Sequence, residues 1–113
     1  MAFTNATKEA AALAVTALGN TISLHTTDPG TSGAAEATGG SPAYARKPTT
    51  WAGGAVDGVV AGTAVVFDVP AGTYTHLGVW NGATFIAGFP LASSTGPLPG
   101  QATVTAIPTI SVP

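Results

Sequence analysis

From Thr21 onward the sequence alternates apolar and polar residues in short runs, and glycine or proline closes almost every run. This combination constrains the fold more than any other feature. Period-two alternation puts one face of a strand on a core, and Gly and Pro end the strand after a few residues. "TISLHT" sets Ile22 and Leu24 against Thr21, Ser23 and His25, and "AVVFDV" sets Val65, Phe67 and Val69 against Val66 and Asp68. "TYTHLGVW" places Thr75, Leu77 and Val79 opposite Tyr74, His76 and Trp80. Asn81-Gly82 is a favoured type I′ turn pair, so residues 73–80 and 83–89 are expected to form a hairpin over about 73–89. "QATVTAIPTISV" alternates again, and Pro108, which cannot donate to a ladder, marks an edge or a break between two short strands. The expected fold is a single domain over residues 1–113, mainly β, a compact β-sandwich or barrel-like unit with one short N-terminal helix.

That helix is expected over about residues 5–18. Asn5 or Thr4 can cap it, and Ala10, Leu13, Ala14, Ala17 and Leu18 supply an Ala-rich apolar stripe that needs a sheet or another subunit to lie on. Glu9 falls where it offsets the helix dipole, and Gly19 suits a left-handed closing position. The start has neither the basic region nor the continuous apolar core of a signal peptide, and no run approaches the roughly 20 apolar residues that span a bilayer.

Charge is scarce. Asp, Glu, Lys and Arg make up 7% of the chain, with a formal net charge of −2, against roughly 25% in an average domain. A basic footprint for nucleic acid is missing, as is a polybasic stretch for anionic membranes, so neither is expected as a partner. Soluble monomers usually carry more charge to resist association. The deficit therefore points to a subunit covered by its neighbours, a homo-oligomer or a lattice.

Catalytic chemistry finds little support. The chain has no cysteine and two histidines, His25 and His76, and neither has the spacing of a zinc ligand set. Both read as hydrogen-bonded or solvent-facing side chains, although their strands could lie side by side. No Gly-x-Ser-x-Gly elbow and no phosphate-binding glycine loop occurs. Asp28 and Asp57 sit before turn residues and read as turn chemistry, which leaves Glu36 and Asp68 without a structural task. No catalytic residue, cofactor or metal site is expected, and the chain is read as non-enzymatic. A small hydrolase would need a histidine close to Asp68 and to a Ser or Thr in a pocket.

Residues 23–51 hold His25, Asp28, Glu36, Arg46 and Lys47, and they enclose a Gly/Thr-rich loop over about 27–42 that is long for a compact domain. Such a loop can order on docking. Arg46-Lys47 is the one adjacent basic pair, readable as a clamp across a subunit interface or as two solvated ends. Trp51, Trp80, Tyr44 and Tyr74 read as an aromatic contact surface or as core with a polar edge. The interface candidates are Tyr44, Arg46, Lys47, Trp51 and Trp80.

The string Leu24-His25-Thr26, Asp28-Pro29-Gly30, Gly33, Glu36, Gly39-Gly40-Ser41 and Tyr44-Ala45-Arg46-Lys47 resembles small tailed-phage virion proteins. These are commonly labelled tail fibre or minor tail protein, especially in phages of actinobacteria. "FDVPAGTYTHLGVWNGATFIAG" is similar to their second half. The resemblance implies a structural module of a double-stranded DNA phage particle, assembled in the host cytoplasm, with other virion proteins of tail or capsid as partners. A capsid decoration protein would fit the same description. An adhesin that binds a host-surface glycan is the alternative, and it would group exposed aromatics in a shallow groove.

Overall fold

A computed structural model describes residues 2–113 as one helix and nine short strands. The chain is mainly β, with overall extents of 44 × 27 × 23 Å. Strands β1 (Thr21–His25), β2 (Lys47–Pro48), β6 (His76–Asn81) and β7 (Thr84–Pro90) form an antiparallel sheet in the order β2-β1-β6-β7. A second sheet, β3-β4-β9, is made of β3 (Trp51–Ala52), β4 (Val59–Gly62) and β9 (Thr109–Ser111). Strands β5 (Val65–Val69) and β8 (Ala102–Ala106) pair separately. Pro108 lies between β8 and β9, so it breaks the C-terminal run into two strands that serve different sheets.

Period-two alternation sets the core. Val65, Phe67 and Val69 turn inward from β5, and they meet Ile22, Leu24, Leu77, Val79 and Val60 in one apolar cluster. Strand β1 departs from simple alternation because Ser23 and His25, on its polar face, are also fully buried. A second layer covers that face, made by the 27–36 segment with Trp80 and Phe85.

Two features of the β6–β7 hairpin differ from expectation. Asn81 pairs with Thr84, so the two residues at the tip are Gly82 and Ala83, one position later than the favoured Asn-Gly pair. Gly82, at φ +57°, holds the first tip position, where a type II′ turn requires glycine. A bulge at Val79/Trp80 accompanies this shift: Val79 pairs with Ala87 and Trp80 with Phe85, so Ile86 on β7 is the extra residue.

Helix α1 (Asn5–Leu18) is capped by Thr4, whose hydroxyl accepts from the Thr7 N–H at 3.2 Å. Asn5 is thus the first helical residue and not the cap. Gly19 is extended (φ −175°) and not left-handed. Its glycine serves close approach instead, since a Cβ there would stand 2.5 Å from the Trp80 carbonyl oxygen. The helix rests on β4 and β9 through Glu9, Ala12 and Thr16, with Val15 partly buried beside them. The expected apolar stripe lies on the other side, and Ala10, Leu13, Ala14, Ala17 and Leu18 are all exposed. On the inward side the Glu9 carboxylate accepts from the Gly58 N–H at 3.0 Å and the Asp57 N–H at 3.4 Å, while Ala12 joins the core cluster and Val15 packs against it.

Candidate functional site

Three of the five interface candidates meet in one cluster, and the long loop is part of it. Strand β1 and the loop are joined at Glu36, which bridges to His25, and by Ala37 N–H donating to the Leu24 carbonyl at 2.8 Å. Arg46 Nε and Nη2 each donate to a different Glu36 carboxylate oxygen at 2.8 Å, a bidentate pair. The Tyr44 hydroxyl donates to the same carboxylate at 2.8 Å and accepts from the Leu24 N–H at 3.0 Å. The Arg46 guanidinium carbon stands 3.6 Å from the centroid of the Trp80 ring, a cation–π contact. The loop is therefore held by its own domain and does not wait for a partner to order it.

The electrostatics follow from these contacts. Burial alone would push the Glu36 carboxyl up, but the Arg46 guanidinium and the Tyr44 hydroxyl outweigh it and hold Glu36 below the ordinary value. Burial, with the Glu36 carboxylate adding to it, pushes the Tyr44 hydroxyl well above its usual range. The hydrogen bonds to Glu36 raise Arg46 further.

Beneath the clamp lies a second network. His25 Nδ1 is 2.7 Å from the Ala34 carbonyl, which can only accept, so Nδ1 carries the proton. The neutral ring then accepts at Nε2 from the Ser23 hydroxyl at 2.6 Å, and Ser23 Oγ accepts from Trp80 Nε1–H at 2.8 Å. Burial pushes the His25 imidazole down, against the Ala34 hydrogen bond and the Glu36 charge. A Ser–His pair is the first element of a nucleophilic site. Here both residues are 0% exposed, so no substrate reaches them, and a backbone carbonyl holds the place a carboxylate would take. His76 is the cross-strand partner of His25, and its Nδ1 lies 2.7 Å from Thr75 Oγ1. Asp68 lies on β5, in a different sheet from both histidines. Asp28 and Asp57 accept from the Gly30 and Val59 N–H groups and close turns.

Sequence reasoning missed Ser23, Glu36 and Gly33 as parts of the cluster. The signal for the first was present, since residues 23 and 25 share a strand face. Gly33 is set by geometry alone, as a Cβ there would lie 2.6 Å from the Trp80 ring.

The other two candidates stand elsewhere. Lys47 is half-buried on β2 and forms no ion pair among the described residues. Trp51 is half-buried, and its Nε1–H donates to the Gly19 carbonyl at 2.8 Å, which ties β3 to the end of α1. Among the described residues no three His, Asp or Glu side chains group as a metal site, and no helix is long and apolar enough to cross a membrane.

An apolar surface lies on the outward side of α1. Leu13 and Leu18 are 44% and 54% exposed, and Phe3, just before the cap, is 46% exposed. Ala10, Ala14 and Ala17 lie between them with no charged residue interposed on that line. An alanine ridge lets a second backbone approach closely.

Residues 2–112 match the family model described as Podophage GP4 fiber I protein gp80. No curated protein and no solved structure gives a match.

Proposed function

The chain belongs to the podophage fibre I protein family, and on that premise we propose that it is a non-enzymatic subunit of the phage tail apparatus that works by packing against further copies of itself. It is a structural virion protein. The observation that carries the finer reading is the outward face of the helix. α1 packs Glu9, Ala12, Val15 and Thr16 on its own domain and turns a further apolar ridge to the outside.

A second copy is the occupant that this ridge fits. The stripe is neutral and self-complementary, so a partner of either charge gains nothing from it, whereas a like ridge buries leucine and alanine on both sides. The helix is 14 residues long, about 21 Å, and one such contact covers far less than the roughly 800 Å² per partner of a standard interface. Stability must come from repetition, in which each contact raises the effective concentration for the next. A nearly uncharged surface removes the repulsion that would oppose it.

The absence of cysteine supplies a direct test. An Ala14→Cys chain, oxidised under mild conditions, is expected to form a disulfide-linked dimer at the ridge. A Ser93→Cys chain, with its thiol on an exposed segment remote in sequence, is expected to stay unlinked. Equal crosslinking of both, or none at position 14, contradicts the proposal.

A further inference from the structure

We propose that Asn81 is a self-modification site, at which the side-chain amide closes onto the backbone nitrogen of Gly82 and hydrolyses to aspartate and isoaspartate. Asparagine is among the thermally labile residues, and the chain has three, Asn5, Asn20 and Asn81. The structure exposes one of them to this reaction and shields the others.

Ring closure joins Asn81 Cγ to the Gly82 nitrogen, so access to that nitrogen governs the rate. Gly82 carries no side chain to stand over it, is exposed at the hairpin tip, and has nothing within 4 Å of where a Cβ would be. Among the described residues no hydrogen bond engages the Gly82 N–H or the Asn81 side-chain amide, so neither group must first leave a partner. Asn5 differs, since it precedes Ala6 within the first turn of α1. Asn20 precedes Thr21, a β-branched residue paired on β1 with strands on both sides. The remaining restraint on Asn81 is its pairing with Thr84. An extended residue must turn about its Cα–C bond before the ring can close, and the last rung of a hairpin opens at low cost.

The chemistry needs only water. The Gly82 nitrogen attacks Cγ and loses its proton, ammonia leaves with the side-chain nitrogen, and a cyclic imide remains. Water opening the imide at Cγ restores the backbone and leaves aspartate. Water opening it at the Asn81 carbonyl carbon leaves isoaspartate, whose backbone runs through Cβ and Cγ.

The position gives the change a structural effect. The Trp80–Asn81 backbone lies so close to Gly19 that a Cβ there would stand 3.2 Å from the Asn81 nitrogen. Asn81 shares a recess with the last turn of α1, and no ionisable residue lines it. A carboxylate at position 81 therefore meets the partly negative end of the helix without a cation. Isoaspartate lengthens the backbone at the last rung and ends the pairing with Thr84. Either product loosens the hairpin tip from the helix end. The change is irreversible, so it accumulates with the age of the subunit.

The test ages the intact chain in mildly alkaline buffer at physiological temperature and maps it by peptide mass spectrometry. The amide-to-acid mass change is expected at Asn81 before Asn5 or Asn20, and part of the product should accept a methyl group from a protein isoaspartate methyltransferase. Asn81→Gln should fold as the parent does and lose the early change. Asn81→Asp should melt below the fresh parent without ageing. The proposal is overturned if Asn81 stays intact in the folded chain, if Asn5 or Asn20 changes as fast, if the product holds no isoaspartate, or if Asn81→Asp melts with the parent.

Discussion

The guanidinium of Arg46 stands 3.6 Å over the Trp80 ring while its Nε and Nη2 hold both oxygens of Glu36. One side chain thus closes the long loop onto the central strand pair. An ammonium keeps the charge but not the fork or the stacking plane. Because the pair is partly exposed, Arg46→Lys is expected to cost about 1 kcal/mol and no more, which lowers the melting temperature by about 4 °C in a domain of this size. A thermal melt of the variant checks this, and an unchanged midpoint would remove the clamp from the account.

Acid should weaken the fold in two stages. His25 is held below its ordinary value of 6.5 in the folded chain, so the unfolded chain binds the extra proton first. Stability from the neutral imidazole is complete above that value and declines as the pH falls below it. Glu36 is held below 4.5, so its contribution is complete above that value and is lost at lower pH. Urea melts from pH 8 to pH 4 should show falling midpoints from about pH 6.5 downward. A His25→Gln chain should lack the first decline, and a parallel decline in both chains would contradict the assignment.

Two glycines of the loop separate crowding from backbone strain. Gly33 has φ +76° and a Cβ there would meet the Trp80 ring at 2.6 Å, whereas Gly39 has φ +85° with nothing within 4 Å. Gly39→Ala should cost about 1 kcal/mol from the left-handed backbone alone. Gly33→Ala should cost about 1–3 kcal/mol more, because the well-packed indole must move. Denaturant melts of the two variants give the difference directly, and equal costs would show that the loop does not press on Trp80.

The mainly β architecture was legible because alternation and punctuation are local. Val65, Phe67 and Val69 needed no partner to be assigned inward, and they are the centre of the core. The hairpin tip stands one residue later than Asn-Gly prefers, because register depends on pairing along both strands, a bulge at Val79/Trp80 included, and not on the turn pair alone. The side of α1 that faces the domain was illegible for the same kind of reason. An apolar stripe says that something covers it, not what, and the Glu9 bonds to the 57–58 backbone depend on residues nearly 50 positions away. The clamp was half legible. Tyr44, Arg46 and Trp80 were singled out as contact residues, but their mutual contacts arise only when loop and hairpin fold onto one strand.

Exposed Ala14 offers a further check on the helix. A glutamate there touches nothing in its own domain, so Ala14→Glu should leave the melting behaviour of an isolated subunit within about 0.5 kcal/mol of the parent. A larger loss would mean that the ridge is part of the domain's own core.

Sedimentation velocity of the parent chain beside Ala14→Glu, at high micromolar concentration and physiological salt, tests self-association most directly. The parent is expected to sediment as an oligomer that dissociates on dilution, and the variant as a folded monomer throughout. A parent chain that remains monomeric at every concentration, or a variant that assembles as the parent does, would contradict the account.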